Sequence, residues 1–172
     1  GNVLAPIKLW CETSTQKECD EIMDAVGGAE KCLKLSGNAI AVGYTASKIL
    51  WLKKQHPEAY QRMERILLPH DYLNFYMTGK QTMEYGDASG TGSAPILSAI
   101  DDQRDLTTCL PSLIEAQAPV GNIRPEFALR SGLPHDVIVS SGGGDNMMAA
   151  IGTGNVVEGR LTASLGTSGT LF

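Results

Sequence analysis

Residues 137–146 read Val137-Ile138-Val139-Ser140-Ser141-Gly142-Gly143-Gly144-Asp145-Asn146, a β-branched stretch that runs into three glycines and then a carboxylate. A helical pattern follows through Met147 and Ile151. In open α/β sheets ligands bind beyond the carboxyl ends of strands, and glycine lets a ligand approach the backbone closely. An acid at that point can accept a proton from a bound hydroxyl, while the glycines leave clearance for the group being transferred. A second glycine turn, Ser164-Leu165-Gly166-Thr167-Ser168-Gly169, offers successive backbone N–H groups and two hydroxyls, which can form an anion-binding concavity. A base beside one loop and a phosphate cradle on the other are the equipment of phosphoryl transfer, where positioning and charge management dominate.

Each feature also has a plainer reading. Asp is among the best helix N-caps, so Asp145 could simply open the helix after it. A cap needs no run of glycines in front of it, which favours the base, and the two roles are compatible. The run Gly166 to Gly169 also suits an ordinary hairpin turn, the commoner use of such residues. Trp10 is either an apolar wall for a sugar or a core residue. Trp51 and Tyr60 read as structural, and Lys48, Lys53 and Lys54 as a solvated helix face. Other nucleotide fingerprints fail. Gly79-Lys80 has Asn74 five positions earlier and Gln81 where a P-loop needs Ser or Thr. Gly152-x-Gly154 is followed by Gly159, the wrong spacing for a dinucleotide loop. Any ATP site is therefore built in another way.

The elements that must carry these loops alternate between strand and helix. Residues 5–10 read as a strand end. Cys19, Ile22, Met23 and Val26 give a helical stripe, with Thr13 to Thr15 as caps and Gly27-Gly28 as the stop. Further helices are expected over 46–55, 57–64, 71–77, 106–116 and 126–131, with Pro57 suited to a first helical position. Ile66-Leu67-Leu68 reads as a short buried strand closed by Pro69, and residues 86–95 as loop. The segments 160–164 and 170–172 pair as a hairpin, marginal when isolated. The alternation implies an α/β protein. The strand-like opening and the apolar strand at the other end imply a piece of a longer protein, with a domain break near Gly152-Thr153-Gly154.

Composition narrows the classes. The chain has 172 residues, 42% apolar and 19% charged, with a formal net charge of −5. Length predicts one domain-sized core, and the mild acidity argues against nucleic acid as principal partner. No apolar run approaches the roughly 20 residues that cross a bilayer, and no signal peptide is visible, so the expectation is a cytoplasmic protein without membrane contact. The four cysteines lack a Cys-x-x-Cys pair and read as small apolar residues. His56, His70 and His135 each adjoin a proline and show no metal-ligand spacing, so no bound transition metal is expected.

Taken together, the chain resembles the FGGY carbohydrate kinases, xylulokinases in particular, over nearly its whole length. The likeness rests on Leu9-Trp10, Ser36-Gly37-Asn38, Lys48-Ile49-Leu50-Trp51, Pro57-Glu58, and Leu67-Leu68-Pro69-His70-Asp71-Tyr72-Leu73. It continues through Met77-Thr78-Gly79, Asp87-Ala88-Ser89-Gly90-Thr91, Gly142-Gly143-Gly144-Asp145-Asn146 and the turn at Gly166-Thr167-Ser168-Gly169. The resemblance implies a partial α/β, ribonuclease-H-like (actin-like ATPase) fold with sugar and ATP between two domains. Residues 1–153 would be the remainder of the sugar-binding domain and 154–172 the first hairpin of the ATP-binding domain. It implies Asp145 as catalytic base, Asn146 and Trp10 as sugar contacts, Gly166 to Gly169 as the ATP-phosphate loop, and ATP with Mg²⁺ as cofactors. The expected reaction of the parent is phosphorylation of D-xylulose, with this piece inactive by itself and pairing to a second copy left open. Ribulo-, glucono- and glycerol kinases, and a non-catalytic sugar- or nucleotide-binding module, are the alternatives. The family's Asp-x-Gly-Thr loop and Met-His-Gly segment are absent, Glu12 stands where relatives carry Asp, and the stretch after Thr91 lacks the Trp relatives have.

Overall fold

The computed structural model describes residues 1–165 and 169–171. Helix α1 (Gln16–Val26) carries the expected stripe, with Cys19, Ile22 and Val26 buried, and ends where Gly27 adopts a left-handed conformation. Helix α2 (Ala29–Ser36) follows almost at once and buries Cys32. Helix α3 (Thr45–Gln55) inserts Ala46, Ser47, Ile49 and Leu50, and α4 (Pro57–Gln61) begins on Pro57 and buries Tyr60. Together with α7 (Ala94–Ile100) these helices enclose the larger apolar core, in which Ile22 and Ile96 have no exposure. One polar pair sits inside it: the Thr15 and Ser47 hydroxyls lie 3.0 Å apart, and Thr15 also donates to the Val42 carbonyl.

The second layer is built on helix α5 (Pro69–Thr78), which packs against three short strands. Strand β1 (Thr82–Glu84) runs into the one-turn helix α6 (Tyr85–Ala88) and pairs in parallel with β2 (Ser112–Ile114). Strand β3 (Pro119–Asn122) pairs antiparallel with β4 (Ile138–Ser140), with a register shift between Pro119 and Gly121. Helix α8 (Pro125–Ser131) closes a small cluster of Ile123, Ala128 and Val139. Helix α9 (Asp145–Gly152) follows β4, and β5 (Ala163–Leu165) pairs antiparallel with β6 (Gly169–Leu171). Among the described residues no helix is long and apolar enough to cross a membrane.

Several expectations need correction. Residues 5–10 form no strand, and Pro6 has no N–H to give to a ladder. Ile66-Leu67-Leu68 joins no strand: the Ile66 N–H donates to the Cys109 carbonyl, while the Leu68 carbonyl already accepts the Tyr72 N–H of the helix that begins at Pro69. The helix expected over 106–116 is one 3₁₀ turn (Leu106–Cys109), after which Leu110 is extended before Pro111 and the chain enters β2. The helix from Pro57 stops at Gln61 rather than 64, and α6 and the start of α7 interrupt the 86–95 loop. The lysine face is not merely solvated: Lys53 pairs with Asp101 at 3.1 Å, and Lys54 with Glu18 and Glu21.

The core assignment is testable in the full-length protein. Ile96→Ala should lower stability by about 2–5 kcal/mol through the cavity it leaves. Lys34→Ala, which removes a fully solvated ion pair with Glu30, should leave the denaturation midpoint essentially unchanged.

Candidate active site

Helix α5 fixes the site from below. Pro69 occupies its first turn, where a missing N–H is harmless, and Asp71 Oδ2 accepts the Leu68 N–H at 3.2 Å. One turn further, buried Asn74 donates from Nδ2 to the Ser141 carbonyl at 2.8 Å. The Ser141 hydroxyl in turn donates to the Ala116 carbonyl at 2.7 Å. The stem of the glycine loop is thereby tied to α5 on one side and to the β2–β3 connection on the other.

The N-terminal end of the same helix presents His70 between two carboxylates. Its Nδ1 lies 3.3 Å from Asp87 Oδ2, and its Nε2 lies 3.1 Å from Asp71 Oδ1, an ion-pair distance off the line of a hydrogen bond. The Asp71 carboxylate against the ring raises the imidazole above the ordinary histidine range; burial opposes this, and the charges of Asp87 and Glu84 add to it. Asp87 is held by its own turn. Glu84, buried at the end of β1, accepts the N–H groups of Gly86 and Asp87 at 2.8 and 3.2 Å and so caps α6. Burial pushes the Asp87 carboxyl above the usual carboxylate range; His70 pulls it back, and the charges of Glu84, Asp71 and Asp145 push it further. The Gly90 carbonyl after this turn accepts the Thr45 N–H, which sets the start of α3 beside it.

The glycine loop meets this cluster from above. Gly142 sits at φ +75°, a left-handed conformation that side chains resist. A Cβ on Gly144 would lie 3.1 Å from Met147 Cε and 3.2 Å from Asp87 Oδ1, so the position needs clearance. Gly144, not Asp145, is the N-cap of α9. Asp145 stands in the first turn, where the helix dipole favours an anion, and its Oδ1 accepts the Asn146 N–H at 2.8 Å. Its side chain spans no cap and remains exposed, while Asn146 is half-buried.

Between loop and cluster lies a cleft of about 330 Å³, lined among others by Gly43, Tyr44, Asp87, Gly90, Asp145 and Asn146. That volume is near the lower end of the roughly 300–1,000 Å³ of small-molecule sites. Asp145 and Asn146 are thus brought together at one opening. Trp10 stands beside the opening rather than in its lining: its backbone oxygen is 2.8 Å from where a Cβ of Gly43 would project, and the residue is 77% exposed. Gly169 begins β6, and Gly166, Thr167 and Ser168 lie outside the described residues. A larger depression of about 440 Å³ at Lys53, Tyr60, Asp101 and Arg104 is elsewhere. Its polar groups are already bonded to one another, Tyr60 to Asp101 at 2.6 Å and Arg104 to the Tyr60 carbonyl. Sequence reasoning from the residues missed His70 and Asp87. The available signal was a second Asp set among Gly and Ser, in Gly86-Asp87-Ala88-Ser89-Gly90, matching the composition around Asp145.

Comparison with known proteins agrees with this architecture. Residues 1–152 match the family model described as the FGGY family of carbohydrate kinases, N-terminal domain. A xylulose kinase of Haemophilus influenzae is 43% identical over 174 residues, covering 96% of this chain and 35% of that protein. The crystal structure of a xyloylose kinase from Brucella ovis superposes with a TM-score of 0.87 at 32% identity, covering 99% of this chain and 36% of that one. A xylulose kinase from Rhodospirillum rubrum, at 20% identity, shares the fold with a TM-score of 0.90 over 99% of this chain and 37% of its own. The chain belongs to the FGGY family of carbohydrate kinases, in the actin-like ATPase fold class. It spans about a third of the length of the relatives it matches.

Two outcomes follow for the full-length protein. Asn74→Ala leaves the buried Ser141 carbonyl without its donor and should lower stability by about 1–3 kcal/mol, read from denaturant titration. His70 has a raised folded-state pKa, so its stabilisation is complete below the ordinary value of about 6.5 and is lost as pH rises through the folded value. His70→Gln should therefore remove a fall in melting temperature that the unaltered protein shows above that pH.

Proposed function

We propose that the full-length protein carrying this chain is an ATP-dependent sugar kinase that converts D-xylulose to D-xylulose 5-phosphate. The observation that carries this reading is an exposed carboxylate, Asp145, on a glycine loop at the mouth of a small-molecule cleft, in a chain of carbohydrate-kinase family. The names of its relatives support the choice of sugar, since xylulose kinases match nearly the whole chain at up to 43% identity.

In this mechanism the sugar binds in the cleft with its terminal hydroxyl donating to Asp145. As that oxygen forms its bond to the γ-phosphorus, the bond from phosphorus to the ADP oxygen breaks, and the hydroxyl proton passes to Asp145. Asn146, the next residue, orients the sugar, and Trp10 provides an apolar wall beside the opening. ATP is the second substrate and arrives with its Mg²⁺; among the described residues no group of three His, Cys, Asp or Glu side chains forms a metal site. Gly166, Thr167, Ser168 and Gly169 receive the phosphate oxygens, as successive turn N–H groups can. Residues 1–153 then form the sugar side of the enzyme and 154–172 open the nucleotide side.

The test is Asp145→Asn in the full-length protein, assayed for ADP release with D-xylulose. Turnover should fall by about 10²–10⁴, the contribution of a positioned base, with both Michaelis constants little changed. A loss smaller than tenfold would show that Asp145 is not the base.

A further inference from the structure

Asp87 is a second carboxylate in the wall of the cleft that holds Asp145, and the reaction as described gives it no task. Its two oxygens are in different situations. Oδ2 is matched by the His70 ring at 3.3 Å, which is itself backed by buried Asp71. Oδ1 accepts no hydrogen bond among the described residues, and it lies 3.2 Å from the point at which a side chain on Gly144 would begin. Because Gly144 has no side chain, this oxygen stays open toward the loop that presents Asp145. The short turn that presents Asp87 is rigid, with Glu84 accepting two of its N–H groups and Gly90 N–H bonded to the Asp87 carbonyl.

A half-buried carboxylate oxygen beside a second acid calls for a donor, and a desolvated acceptor left unmatched is costly. The surroundings select the kind of donor. A further fixed cation is supplied already by His70, and no set of three ligating side chains converges there among the described residues. A neutral hydroxyl fits. We infer that Asp87 is a sugar-binding residue, whose Oδ1 accepts a hydrogen bond from a hydroxyl of the bound ketose other than the one that Asp145 deprotonates, with His70 bracing the carboxylate from behind. This rests on the sugar-kinase reading above and adds a specificity contact to it: two acids set across Gly144, one for the reacting hydroxyl and one for a spectator.

The experiment uses the full-length protein, with Asp87→Ala and the near-isosteric Asp87→Asn. Equilibrium titration with D-xylulose should show affinity reduced roughly 10–100-fold, the loss expected for a hydrogen bond to a charged acceptor. In turnover the change should fall on KM for the ketose, with kcat and KM for ATP within about threefold. A series of monodeoxy ketoses identifies the partner. In the unaltered enzyme one deoxy position should carry a penalty of similar size, and in Asp87→Ala that penalty should vanish, which a general loosening of the fold would not produce. Folded variants with unchanged ketose affinity, or a deoxy penalty that persists undiminished in Asp87→Ala, would overturn the inference. Asp145→Asn, run in parallel, separates the two claims: full turnover in that variant removes the base but leaves the binding result for Asp87 standing.

Discussion

The amide of Asn74 on the Ser141 carbonyl is the contact on which the site depends. A run of three glycines has no side chains with which to fix itself, so its position must be imposed from the chain on either side. After the loop, α9 supplies a regular frame; before it, β4 is a three-residue strand with one partner among the described residues, too slight to hold the loop alone. The bond from α5 transfers the rigidity of a capped helix to the last residue before the glycines. Because His70 belongs to the same helix, one turn earlier, the loop and the Asp87 turn are referenced to a single scaffold.

The electrostatics divide the acids by function. Asp71 and Glu84 direct oxygens at backbone N–H groups and serve as caps. Asp87 and Asp145 are left to face the opening, and the burial of the first is moderated by the imidazole beside it. The Tyr60, Asp101, Lys53 and Arg104 network shows the opposite arrangement. There burial pushes the tyrosine hydroxyl up, so that it stays a donor to Asp101, and the remaining donors are turned onto carbonyls and the same carboxylate. That network is closed on itself, whereas the one beside Gly144 has an oxygen pointing outward.

The parts of this fold that sequence made legible are those with long periodic patterns. The α1 stripe, the body of α3, the proline-started α4 and α8, and the glycine loop into α9 all follow from local rules. The rest was opaque for physical reasons. β1, β2 and β3 are three or four residues long, and their pairing is decided by α5 and the loop contacts rather than by propensity. Pro111 cut a helix that the apolar spacing suggested. At the site, Asp145 was visible because glycines surround it. His70 and Asp87 are seventeen residues apart, and only tertiary packing makes them neighbours, so nothing in the spacing marked them as a pair.

The first fourteen residues, including Trp10, contain no helix or strand. Leu4 packs against the larger core, and Lys8 fastens the stretch around Trp10: its ammonium sits 3.9 Å from the Trp51 ring centroid and reaches both Glu12 and Ser14, while Glu12 also accepts the Leu9 N–H. The aromatic residue beside the opening thus lies in a segment fastened by one sheltered ammonium on a ring and a short ionic loop, contacts close enough that added salt screens them little. One flank of the opening therefore depends on a lysine within the irregular segment itself, and the other on helix α5.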